Sequence, residues 1–96
     1  MKTLSDIENI LKSQKPFLRE KFKVNSIGVF GSYSRQEQTS ASDVDVLVEF
    51  DSPPGWDFFD LQDYLEDLLG TKVDLVTRNA IKPQLQESIL HEVVYA

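Results

Sequence analysis

Asp43, Asp45 and Asp74 are the side chains in this sequence best suited to chemistry. Asp43 and Asp45 flank a single valine at the head of an apolar run that ends at Phe50. On a strand, residues two apart point to the same face, with Cα atoms about 6.6 Å apart. Two like charges held that close cost energy unless a cation lies between them, and a divalent metal is the natural third party. Asp74 lies inside a second apolar run, Val73-Asp74-Leu75-Val76. Were the two runs neighbouring strands, about 4.8 Å apart, the three carboxylates would form a triangle with sides of about 5–7 Å. Such a triangle suits two magnesium ions about 3.5–4 Å apart with oxygen ligands. Gly31-Ser32 supplies the opposite wall. Glycine lets backbone approach a phosphate closely, and Ser32 offers a hydroxyl and nearby N–H groups at the start of a helical turn.

The elements that must position these residues are legible from the pattern. Leu4, Ile7, Ile10 and Leu11 recur at helical spacing, with Thr3 or Ser5 as cap. Pro16 predicts a break, with a second helical segment from Pro16 to Phe22. Ser26 to Phe30 reads as a buried strand that delivers the Gly-Ser turn, and a helical turn over Tyr33 to Glu37 leads to a polar loop. Asp43 to Phe50 alternates as a strand, with Val44, Val46 and Val48 on one face and Asp43, Asp45 and Leu47 on the other. Two prolines and a glycine end it. Phe58, Leu61, Leu65 and Leu68 predict a helix that stops at Gly70, and Lys72 to Thr77 predicts a third strand. Pro83 opens a last helix lined by Leu85, Ile89 and Val93. Strand, helix, strand from Asp43 to Thr77 is a crossover unit, so those two strands should be parallel, whereas the first two should be antiparallel. The expected fold class is α/β (α+β), a small mixed sheet with flanking helices in one domain spanning residues 1–96.

Composition narrows the partners. Ten Lys and Arg against sixteen Asp and Glu give a net charge of −6. That balance supplies no overall basic face for gripping a nucleic-acid polymer. A nucleotide carried by a metal is compatible with it, because the metal brings positive charge. The absence of cysteine fits a reducing cytoplasm. No apolar run is long enough to span a bilayer, and no signal peptide is evident.

Gly31-Ser32, ten residues, Asp43-Val44-Asp45 and then Val-Asp-Leu-Val at 73–76 together resemble the signature of the DNA polymerase beta-like nucleotidyltransferases. More narrowly, nearly the whole chain resembles a minimal nucleotidyltransferase (MNT), the antitoxin paired with a HEPN toxin. The resemblance implies a nucleotidyltransferase fold in which Asp43 and Asp45 hold two Mg²⁺ ions. Asp74 would ligate the ion at the attacking hydroxyl and help deprotonate it. Gly31 and Ser32 would bind the triphosphate. Arg35 matches an arginine that commonly follows the Gly-Ser pair by three positions and would contact the pyrophosphate or the acceptor. Gln36 departs from the family's frequent glycine. The implied reaction is transfer of AMP from ATP to a tyrosine hydroxyl of a HEPN ribonuclease toxin. Two other readings stay open: an antitoxin that neutralises by covering its toxin, and an enzyme that modifies a small molecule such as an antibiotic.

Other features have plainer explanations. The acidic residues could belong to an edge strand charged against aggregation, but the ten-residue spacing between apolar strands weighs against this. Trp56, Phe58 and Phe59 read as core or helix-anchoring residues, and His91, without a second ligand nearby, as incidental. The lysines and arginines between Lys12 and Lys23 read as a solvated face.

Overall fold

In a computed structural model describing residues 2–96, α1 (Leu4–Phe22) is one helix of 19 residues that runs straight through Pro16. The predicted break does not occur, and the apolar stripe shows why. Ile7, Leu11, Leu18 and Phe22 are all buried. At 100° per residue they stay on one face only if the helix is continuous. Pro16 lies about 180° from Ile7 on that wheel and is exposed, so the carbonyl that loses its N–H donor faces water. Thr3 caps the helix in a reciprocal box: its hydroxyl accepts from the Asp6 N–H at 3.1 Å, and Asp6 Oδ2 accepts from the Thr3 N–H at 2.9 Å.

The chain continues through β1 (Val24–Phe30), β2 (Val44–Phe50), α2 (Asp57–Leu69), β3 (Val73–Thr77), a 3-10 turn (Arg78–Ala80), α3 (Pro83–Glu92) and β4 (Val94–Tyr95). The sheet order is β3-β2-β1-β4. As expected, β1 and β2 are antiparallel and β2 and β3 are parallel, joined by α2. Two details differ. β2 begins at Val44, leaving Asp43 one residue before the strand, and the chain adds a short fourth strand antiparallel to β1. Val93 therefore ends α3 in extended geometry rather than lining it. Gly28 admits this return, because a Cβ there would run into Val93 and the backbone of Val94.

Val44, Val46 and Val48 join Ile27, Val29, Val73 and Leu75 in one buried cluster with the apolar stripes of α1 and α2. The opposite sheet face carries Asp45, Leu47, Asp74 and Val76, since facing alternates along each strand. Trp56 and Phe59 do not anchor the core: they are 83% and 57% exposed. The buried stripe of α2 is Leu61, Leu65 and Leu69, and Phe59 lies two positions from it, about 200° round the helix. Phe58, three positions before Leu61, does pack inward, with its ring 6.4 Å from that of Phe50.

Candidate active site

The register of β2 and β3 pairs Asp45 directly with Asp74, on the sheet face away from the helical layer. On the other side of β2, Asp45 pairs with Phe30, the last residue of β1. The chain then turns sharply at Gly31, whose φ of +74° favours glycine. The absence of a side chain is also needed for space, because a Cβ on Gly31 would overlap Asp45 Oδ2. Backbone and carboxylate thus meet at the Gly-Ser turn.

Asp45 is half-buried, whereas Asp43 and Asp74 are exposed. The Asp45 carboxyl is raised from 3.8 to about 6, first by burial and then by the charges of Asp74 and Asp43. A hydrogen bond with Asp74 raises it further, and the positive charge of Arg35 opposes the shift. Burial and two neighbouring carboxylates that disfavour the charge on Asp45 mark a site short of positive charge. All the donors are hard oxygens, the set that magnesium takes. Among the described residues no three His, Cys, Asp or Glu side chains are already gathered to metal-holding distance. The fit therefore rests on the oxygen donor set and on the charge deficit around Asp45.

After Gly31 the chain forms hydrogen-bonded turns rather than the predicted helical turn over Tyr33 to Glu37: among the described residues no helix lies between β1 and β2, and Gln36 takes a left-handed φ of +58°. Gly31 O accepts from the Arg35 N–H at 3.2 Å, and Ser32 O accepts from the Glu37 N–H at 2.8 Å. Tyr33, 4% exposed, roots the turn in the core. The half-buried Ser32 hydroxyl makes no hydrogen bond among the described residues, which leaves it able to meet a phosphate oxygen. Arg35 lies at the surface, in ion pairs with Glu37 (2.7 Å) and Glu92 (3.1 Å). These partners raise its pKa, the Glu37 bond most.

Sequence reasoning missed Glu92. Its Oε1 accepts from the Gly31 N–H at 3.0 Å, tying the end of α3 to the turn. The only sequence signal was an acid in the Glu92-Val93-Val94 segment, 61 residues from the glycine it contacts.

Comparison with known proteins follows the same geometry. A family model of the nucleotidyltransferase domain matches residues 11–96. Protein adenylyltransferase MntA of Thermococcus cleftensis is 50% identical over 96 residues, covering 99% of this chain and 97% of that protein. A solved structure assigned to the minimal nucleotidyltransferases superposes with a TM-score of 0.81 at 31% identity, covering 97% of this chain and 95% of the other. A toxin–antitoxin crystal structure with AMP-PNP gives a TM-score of 0.73 at 27% identity, over 92% of this chain and 70% of that one. The acid pair on adjacent strands, the Gly-Ser turn against it and the full-length similarity lead to one assignment: the chain belongs to the nucleotidyltransferase domain family, as one of its minimal members.

Proposed function

We propose that this enzyme is an antitoxin that transfers the AMP moiety of ATP to a tyrosine hydroxyl of a HEPN ribonuclease toxin. The observation that carries the reading is the direct pairing of Asp45 with Asp74 beside Gly31. The name of the Thermococcus cleftensis relative supports adenylyl transfer to protein, and the toxin–antitoxin structure with AMP-PNP supports the partner class and ATP.

In this reading Asp43 and Asp45 would hold two Mg²⁺ ions, with Asp74 as a further ligand. Mg²⁺ bound there would neutralise charge on the triphosphate and acidify the attacking hydroxyl. The tyrosine oxygen attacks the α-phosphorus, the bond to the bridging oxygen breaks and pyrophosphate leaves. The hydroxyl proton passes to the Asp74 carboxylate. Gly31 and Ser32 orient the triphosphate, and Arg35 offers positive charge to the departing pyrophosphate.

Labelling with two forms of ATP tests the reaction class. With Mg²⁺ and a HEPN partner, ATP labelled at the α-phosphate transfers label to the toxin, and ATP labelled at the γ-phosphate does not. Label arriving from the γ-phosphate would make the chain a kinase and overturn the proposal. A second reading, neutralisation by covering the toxin, is favoured by one observation: Trp56 and Phe59 form an exposed aromatic pair with ring centroids 6.1 Å apart. Such a patch suits a protein interface.

A further inference from the structure

α3 buries none of its side chains completely, yet its last residue reaches the centre of the candidate site. Glu92 Oε1 accepts from the Gly31 N–H at 3.0 Å and from Arg35 Nη1 at 3.3 Å, and Oε2 accepts from the same Nη1 at 3.1 Å. A second carboxylate, Glu37, accepts from Arg35 Nε at 2.7 Å. The guanidinium is planar with its donors in a fixed fork, so contacts at Nε and Nη1 fix the plane of the whole group. Arg35 Nη2 has no acceptor among the described residues.

We propose that Glu92 is the positioning residue of the nucleotide turn. One carboxylate pins the Gly31 backbone and anchors Arg35, so that Arg35 Nη2 stays aimed at the triphosphate. The inference rests on the nucleotidyl-transfer reading above and adds to it a role for the end of α3. Without the anchor, an arginine half exposed to solvent samples many rotamers and presents its charge to the phosphates only part of the time.

Glu92→Gln separates the two contacts. The amide oxygen can still accept from the Gly31 N–H, while the paired charge facing Arg35 is lost. Calorimetric titration of the whole chain with Mg·ATP should show about a tenfold loss of affinity, the size expected for a charge-assisted contact. Arg35→Ala should show a similar loss, and the double variant should bind no more weakly than Arg35→Ala alone. Glu37→Gln, which leaves α3 untouched, should weaken binding through release of Nε. Should Glu92→Gln fail to fold by circular dichroism, Glu92→Asp, which keeps the charge but shortens its reach to Arg35, takes its place: it should also lose affinity, and unchanged affinity would overturn the role of Glu92. Additive losses in the double variant, or unchanged affinity in a folded Glu92→Gln, would overturn the role of Glu92. Tighter binding by Glu92→Gln would also overturn it, by showing that the carboxylate competes with phosphate. Absence of Mg·ATP binding by the unaltered chain overturns the functional reading itself, a result distinct from any of these.

Discussion

Asp45 and Asp74 are direct partners across the parallel β2–β3 pair, and the charge of Asp74 raises the cost of ionising Asp45. Because β2 and β3 are parallel and joined through α2, this register is built by the same crossover that forms the core. The strain between the acids is therefore held in place by the packing of Val44, Val46 and Val48 beneath them.

That strain has a pH signature in metal-free protein. The Asp45 carboxyl titrates at about 6 in the fold against an ordinary value of 3.8, so the folded state binds the proton more tightly than the unfolded chain. The stability it contributes is full below about 4 and is lost as pH rises through about 6. Urea unfolding with chelator between pH 4 and pH 7.5 should show a downward contribution from Asp45 across this window. Asp45→Asn should remove that contribution. Identical pH profiles for the two proteins would mean that Asp45 titrates normally.

Gly31→Ala should destabilise the chain by at least about 1–2 kcal/mol, the cost of placing an L-residue in left-handed geometry. The added Cβ also has to displace Asp45 Oδ2, so Mg·ATP binding should fall with stability. Urea unfolding and calorimetry on the same preparation check both. Wild-type stability would show that the turn relaxes freely.

Pro16→Ala should stabilise the chain by about 2 kcal/mol. An interior proline forfeits one helix hydrogen bond, and part of the gain is offset by a freer unfolded chain. Nothing packs on Pro16 to complicate the result, since it is exposed. A lower unfolding midpoint for the variant would contradict this account of how α1 runs through it.

The sheet and the site were legible to different depths for physical reasons. Alternation and the crossover rule predict three strands, their relative directions and the placement of Asp74 on the strand beside that of Asp43 and Asp45, whereas the register that pairs Asp45 with Asp74 is seen only in the fold. The Gly-Ser turn shows itself through residue type and spacing. Pro16 misleads because its local propensity to end a helix is overridden by a buried stripe in phase on both sides of it. Trp56 and Phe59 mislead because apolar type alone does not specify helix phase; counting positions from Leu61 does. Glu92 was invisible, because its contact with Gly31 depends on how α3 returns to β1 through a strand of only two residues.

Asp74→Asn and Asp45→Asn should fail in different ways. In the proposed arrangement Asp45 serves the nucleotide ions, whereas Asp74 serves the attacking hydroxyl. Calorimetry should find Mg·ATP affinity largely kept in Asp74→Asn and lost in Asp45→Asn, with turnover abolished in both. Equal loss of affinity in two folded variants would contradict this division of roles.

In the proposed function the carboxylate site performs the transfer that silences the toxin. The most direct test is the intact mass of a HEPN partner after incubation with Mg·ATP and either the unaltered chain or Asp45→Asn, with ribonuclease activity read in the same tubes. The toxin should gain one or more AMP units on tyrosine and lose activity with the unaltered chain, and Asp45→Asn should cause neither change. Full silencing by Asp45→Asn with no gain in mass would contradict this reading and leave coverage of the toxin as the mechanism.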